Sequence, residues 1–495
     1  MLFLAAFFFL TLTLGVTWYY QRSSPSRRPL PPGPTLLSAP WPENDIARTF
    51  HSWTKRYGSV VSVKIGFRTI IILGTRQAAQ DLLERRGTIY SSRPSSIFMD
   101  RYLNKGLNPA FMPYGSQWRL HRRFYSTLLN VKASQTYRRL QDIGSRELVY
   151  ELLTTNDFSD VFYRYTSDVM LSLVYGKGQN RDDADHRRLQ QINEMATFIL
   201  QNASFRTIIL DLFPLLDKLP MKFMNWRQQA AQLHDLTREV YVECGNAALQ
   251  GKSWNWIREI YERPEAKDAP WEDVCYSLGE LYVAGIYTTK MVLENFVTTC
   301  VDHADAVRKA QDELDSVVGM ERLPEFADMD RLPFVGAFIS ELVRWKPISS
   351  IGVPHAVIQD DEYMGFHIPK DATVIANQWG INMDESVFES PETFNPERYM
   401  EISDRHLSGF GFGRRACPGY HLAKASFFIV ISRVLWAYRI EREVEVGDDP
   451  KGNSSSPGVA FTVRSLQHQE IISKGGKTSG YDVGETLEEI RPSKS

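Results

Sequence analysis

The segment from Trp271 to about Asp302 constrains this chain most: roughly 30 mostly apolar residues with helical character. A helix that apolar belongs inside a core rather than on a surface. From about Gln77 to Met320 the surrounding pattern is also mainly helical, with breaks at Pro94, Pro109, Pro113, Pro214, Pro220 and Pro264. Gly115 to Leu129 reads as one amphipathic helix, and Tyr420 to about Ile440 as a second apolar one. Strand character is confined to Val60–Ile65 and Thr69–Leu73, a hairpin around Gly66, and to Met364–Ala376 with a turn at Pro369-Lys370. There is no internal repeat. The expected architecture is one large, mainly α domain with small β-sheets.

Met1 to Gln21 carry no formal charge and are rich in Leu, Phe, Ala and Val. As a helix they would span roughly 30 Å, the thickness of a bilayer core. A cleaved signal peptide is the competing reading, but a basic n-region and a small-residue cleavage site are both missing. Trp18, Tyr19 and Tyr20 form an aromatic belt, and Arg22, Arg27 and Arg28 follow, which predicts a cytosolic body behind a single-pass anchor. Pro29-Leu30-Pro31-Pro32-Gly33-Pro34 reads as a stiff spacer. The expected division is an anchor at 1–21, a basic and proline-rich linker at 22–34, a folded body at 35–473 and a polar, disordered tail at 474–495.

Composition excludes some classes. With 43% hydrophobic and 23% charged residues the chain is not broadly disordered, and a net charge of −2 lacks the basic excess of a nucleic-acid binder. Cys244, Cys275, Cys300 and Cys417 show no paired spacing, so neither a zinc module nor a disulfide framework is indicated. A reducing compartment suits them.

The chemistry concentrates in Phe410-Gly411-Phe412-Gly413-Arg414-Arg415-Ala416-Cys417-Pro418-Gly419. A metal-binding thiolate needs a sheltered, electropositive setting. Gly411, Gly413 and Gly419 let backbone N–H groups close on the sulfur, and the helix beginning near Tyr420 turns its positive end towards it. Phe410 can shield the ligand from water. A buried free cysteine in a glycine loop would be the default for a lone Cys, but this run resembles the haem-binding loop of the cytochrome P-450 family at every defining position. The resemblance implies the P-450 fold, heme b with Cys417 as the axial thiolate ligand to iron, and Arg415 paired with a haem propionate.

Further segments extend the likeness. Glu341-Leu342-Val343-Arg344 is similar to the family's E-x-x-R and Phe394-Asn395-Pro396-Glu397-Arg398 to its P-E-R-F segment, which implies a buried triad of Glu341, Arg344 and Arg398 behind the haem loop. Taken alone, E-x-x-R is usually a solvated surface pair. Trp118 and Arg122, four apart on one helix face, match the W-x-x-x-R whose members contact a propionate. His355 falls where the family carries a propionate-binding basic residue; the plain alternative is a core histidine. Arg119, Arg123, Arg138 and Arg139 form either a docking patch for an acidic reductase or a solvated basic face. Ala284-Gly285-Ile286-Tyr287-Thr288-Thr289 resembles the family's A-G-x-D/E-T-T, with Ala284 and Gly285 leaving room for dioxygen and Thr288 handling protons. Tyr287 stands where the acid is expected; it either touches substrate or packs in the core.

The resemblance spans nearly the whole chain and is strongest to microsomal enzymes of fungal secondary metabolism. It implies a monooxygenase in the endoplasmic reticulum membrane that takes electrons from NADPH through NADPH-cytochrome P-450 reductase. The substrate would be a hydrophobic small molecule. Pocket segments implied in the same way are Ser95–Phe111, Asn202–Phe213, Tyr282–Thr288, Ile348–Ile351 and Val459–Phe461. Three other readings stay open: oxidative coupling or ring closure without oxygen insertion, a haem-thiolate isomerase or dehydratase, and a non-catalytic haem-binding sensor.

Overall fold

The structure is a computed structural model that describes residues 28–35, 45–66, 68–177, 210–211, 217–218, 225–401, 407–443, 458–476 and 482–492. The anchor expected at Met1–Gln21 and most of the Asn202–Phe213 pocket segment lie outside these residues. No helix among the described residues is long and apolar enough to cross a membrane.

Helix α1 (Ile46–Tyr57) precedes the hairpin β1 (Val60–Ile65) and β2 (Arg68–Leu73). The helices α2 (Ser116–Leu129), α3 (Arg138–Glu151), α4 (Phe158–Tyr175) and α5 (Asn225–Gln250) lead to α6 (Trp271–Asp302), followed by α7 (Ala304–Val317) and α8 (Pro333–Trp345). Then come β3 (His355–Ala356), β4 (Asp361–Tyr363), β5 (Phe366–Ile368) and β6 (Thr373–Ala376). The chain closes with α9 (Tyr420–Ala437), β7 (Tyr438–Arg442), β8 (Val459–Val463), α10 (Leu466–Gly476) and α11 (Val483–Glu489).

The apolar run at 271–302 is a single helix of 32 residues, with Glu272 and Asp273 in its first turn to complement the helix dipole. It packs against α4, α5 and α9 at the centre of the main hydrophobic cluster. Gly279 and Gly285 permit those approaches. A Cβ at Gly279 would sit 2.5 Å from the Tyr241 ring of α5, and one at Gly285 would sit 2.5 Å from Sδ of Met170 on α4. Every residue of α9 from Ala425 to Ala437 is buried.

The main sheet has the order β1-β2-β6-β3, antiparallel except for the parallel β2–β6 pair, in which Ile70 faces Thr373 and Leu73 faces Ala376. All four residues of β6 are buried.

Three boundaries differ from the sequence reading. The second apolar helix stops at Ala437, not Ile440. From Tyr438 buried and exposed residues alternate, and Tyr438–Arg442 pairs with Val459–Val463 as a strand. The tail expected to be disordered carries α11, capped by Asp482, whose side chain accepts from the N–H groups of Gly484 and Glu485. Leu487 and Ile490, three apart on one helix face, are buried, and Glu488 accepts from the Trp254 N–H at 2.8 Å. The proline segment is docked. Pro31 and Pro34 are buried, Ser62 bonds to the carbonyls of Pro31 and Pro32, and the His367 N–H donates to Pro29.

Candidate functional site

Cys417 sits at the end of the glycine loop, just before α9. Its backbone N–H donates to the Phe410 carbonyl at 2.8 Å, and the Gly419 N–H donates to its sulfur. Gly411 has φ 76° and Gly413 φ 56°, a region that favours glycine. At Gly413 the loop also leans on the Leu83 carbonyl, which would lie 2.2 Å from any added Cβ. Of the three glycines, then, only Gly419 brings an N–H to the sulfur; the other two shape the turn. The ring of Phe410 lies edge-on to Tyr420 at 4.8 Å, beside the sulfur.

Two cavities, of about 330 and 240 Å³, meet between this loop and the middle of α6. Leu281 and Ala284 of α6 line both, as do Phe410, Cys417 and Pro418 of the loop. The Cys417 side chain is exposed by area because it opens into this space, yet protein closes round its other sides. Burial pushes its thiol up, against the opposing pull of the Gly419 N–H and the Arg122 cation. Thr288 also faces the smaller cavity, and its hydroxyl donates to the Ala284 carbonyl at 2.7 Å.

The larger cavity is ringed by cations. Arg122 donates to the Ala416 carbonyl at 2.9 Å, and Trp118 lies one turn before it on α2. Arg415 spans from the loop to the carbonyls of Ser91, Pro109 and Met112, with its guanidinium 4.3 Å above the Trp118 ring. Three of its five N–H donors are thus engaged with backbone carbonyls, which leaves two for an anion. Arg93, which no sequence motif marked, is buried and donates to the carbonyls of Ala110, Val353 and Pro354. His355 donates from Nδ1 to the Tyr90 carbonyl at 2.7 Å.

Among the described residues no carboxylate lies within ion-pair distance of Arg93, Arg122 or Arg415. Burial holds all three below the ordinary arginine range, Arg93 at about 9 and Arg415 at about 8. Burial, with Arg93 and Arg415, drives His355 down to about 3. A wall of buried cations without counter-charge is completed by an anion, which would reverse these shifts. Among the described residues no cluster of three His, Cys, Asp or Glu could hold a metal. A prosthetic group that brings its own ligands to a metal on Cys417 fits this setting. An iron macrocycle carrying two carboxylates fits both halves of this site.

The charged triad lies behind the loop, with Glu341 and Arg344 fully buried and Arg398 partly so. Glu341 accepts from Nε and an Nη of Arg344, both at 2.7 Å, from Arg398 Nε at 3.1 Å and from the Asn395 N–H at 2.8 Å. Arg344 continues to the Asn382 carbonyl at 2.8 Å, and the Asn382 side chain accepts from Ser408 at the foot of the loop.

Other expected site residues fall elsewhere. Tyr287 lines neither cavity. It sits about 100° round α6 from Thr288, half-buried in the main cluster near Tyr163 of α4, and burial pushes its phenol up to about 12. Gly285 borders the smaller cavity, but its missing side chain is first a packing requirement against Met170. Val459 and Phe461 are core residues, the Phe461 ring lying 5.9 Å from both Phe158 and Tyr438. Arg139 is ion-paired with Glu489 of α11, which reduces the basic patch. Asn108, Pro109, Ala110, Ile348, Ser349 and Ile351 do line the cavities. So does Glu280, an acid set among apolar residues of α6 and a signal the sequence reading passed over.

A profile of the cytochrome P-450 family matches residues 28–469. The chain is similar to the cytochrome P-450 monooxygenase aneD of Aspergillus aculeatus, at 39% identity over 94% of each chain. It is 36% identical to the monooxygenase FrzL of a Cladobotryum species, over 95% of this chain and 94% of that one. With fumitremorgin C synthase of Neosartorya fischeri it shares 33% over 94% and 95%. A zebra fish cytochrome P-450 solved with progesterone superposes with a TM-score of 0.71 at 23% identity, over 85% of this chain and 100% of that one.

Proposed function

The chain belongs to the cytochrome P-450 monooxygenase family, and from that premise we propose that it carries heme b on Cys417 and oxidises a hydrophobic small molecule of secondary metabolism. Electrons come from NADPH through a separate flavoprotein reductase. The body stays cytosolic on the endoplasmic reticulum membrane, tethered by the uncharged segment Met1–Gln21 with Arg22, Arg27 and Arg28 behind it.

The observation that carries this reading is the juxtaposition of one open thiol with the ring of unpaired buried cations. Cys417 ligates the iron, which displaces the proton that burial would otherwise retain. Arg93, Arg122, Trp118, Arg415 and His355 hold the two carboxylates, the arginines by charge and the histidine once an anion has raised its affinity for a proton. When bound, the haem supplies reductive activation of dioxygen and transfer of one oxygen atom. Ala284 leaves space above the sulfur, Thr288 holds and passes protons at its Oγ1, and Phe410 keeps water from the thiolate. Arg119 and Arg123 remain as exposed cations for a reductase face.

The test is the reduced carbon-monoxide complex. Wild-type protein gives the strongly red-shifted Soret band of thiolate ligation, and Cys417→Ala loses it. Cys275 and Cys300 are buried with thiols pushed up, and Cys244 lies outside the cavity lining, so their Ala variants keep the band. A red-shifted band in Cys417→Ala removes the assignment. Incorporation of labelled dioxygen into product separates oxygen insertion from coupling.

A further inference from the structure

Glu280 breaks the apolar pattern of α6 one turn before Ala284 and faces the larger cavity. Asn108 Nδ2 donates to its Oε2 at 2.6 Å, and the Tyr241 hydroxyl approaches its Oε1 at a long 3.5 Å. The phenols of Tyr125, Tyr175 and Tyr276 lie near it from α2, α4 and α6, and none supplies positive charge. Among the described residues no cation is within ion-pair distance of it. Arg93, Arg122 and Arg415 border the same cavity but surround the place of the haem carboxylates. Burial raises the Glu280 carboxyl to about 7.

A carboxylate offers about four acceptor sites, and at most two are used here. A buried acid without a counter-charge is costly, and an apolar residue would serve a purely hydrophobic pocket better. Proton delivery does not account for it. Glu280 is eight residues from Thr288, about 12 Å along the helix axis, too far for direct transfer at the same reacting atom.

We propose that Glu280 is a specificity-determining residue that holds a protonated, basic nitrogen of the substrate, so that this chain selects hydrophobic amines over hydrocarbons of the same shape. The cation supplies the missing counter-charge and uses the free acceptor sites, a charge-assisted bond strengthened by the dry wall around it. The nitrogen is thereby anchored a turn or more from Ala284 and Thr288, and the carbon presented over the sulfur is remote from it. This inference rests on the haem-thiolate reading of the same cavity.

The test uses the holoenzyme at pH 8 with a matched pair of probes, 1-methyl-4-phenylpiperidine and phenylcyclohexane, titrated by the spin-state change of the Soret band. Wild-type protein should bind the amine about 10- to 100-fold more tightly than the hydrocarbon. Glu280→Gln, which keeps the shape and the Asn108 contact, should bring that ratio to about 1, and Glu280→Asp should retain part of it. The ratio, not either affinity alone, is the readout, because hydrocarbon affinity carries any general change in the pocket. Equal affinities in wild type, no amine-dependent change at all, or a ratio that survives Glu280→Gln would overturn the assignment. The reduced carbon-monoxide spectrum of each protein separates the two ideas. A red-shifted band without amine preference defeats the Glu280 site alone, whereas its absence from wild type defeats the haem reading on which the site depends.

Discussion

His121 is on α2, next to Arg122 in the chain. It is fully buried, stacked on Phe124 at 6.1 Å, and neither ring nitrogen has a hydrogen-bond partner among the described residues. Burial lowers its pKa to about 4. The unfolded chain takes up a proton at this residue near pH 6.5 and the folded one only near pH 4, so stability present at neutral pH is lost as pH falls through that window. The loss attributable to His121 is about 2 kcal/mol between pH 7 and pH 5. His121→Leu should flatten the slope by that amount, which denaturant midpoints at the two pH values will measure. A slope unchanged in the variant would place the acid sensitivity elsewhere, with His355 the next group of the same sign.

Between elements, the link that matters runs from α8 to the loop through Glu341, Arg344, Asn382 and Ser408. Removing one partner of a buried ion pair typically costs about 3–5 kcal/mol. Glu341→Ala and Arg344→Ala should each yield haem-poor, unstable protein, read as the ratio of Soret to protein absorbance. Arg344→Lys should not rescue it, because one ammonium cannot replace the two parallel bonds of the guanidinium. Normal haem occupancy in these variants would show that the loop holds its shape unaided. Such contiguous motifs were legible in the sequence because each is one short piece of backbone whose residue types are dictated locally. Arg93 and Glu280 reach the cavity from separate elements, and only the fold brings them there. Of the two places open to Tyr287, the fold gives it the core, because adjacent residues on a helix face different ways and Thr288 takes the cavity side. In the tail, two apolar positions three apart were outweighed by a polar composition.

At the scale of the molecule, the proline segment is part of the body and not a detached spacer. Deleting residues 1–21 should release the protein from membranes, judged by a carbonate wash, with haem binding retained. Extending the deletion through Pro34 also removes the bonds to Ser62 and His367 and two buried prolines, at a cost of about 2–4 kcal/mol seen as a lower unfolding temperature. Equal stability of the two truncations would mean that the docked prolines contribute nothing. The β2–β6 pairing carries a different kind of consequence, one of timing. These strands are about 300 residues apart in the chain, and at roughly 5–20 residues per second a ribosome needs about 15–60 s to make the second after the first. For all that time the Ile70-Ile71-Ile72-Leu73 edge has only β1 beside it, an unpaired apolar strand of the kind that joins other chains. During synthesis its protection has to come from outside the protein, so holding chaperones should limit the yield of soluble enzyme more than the stability of the finished fold does.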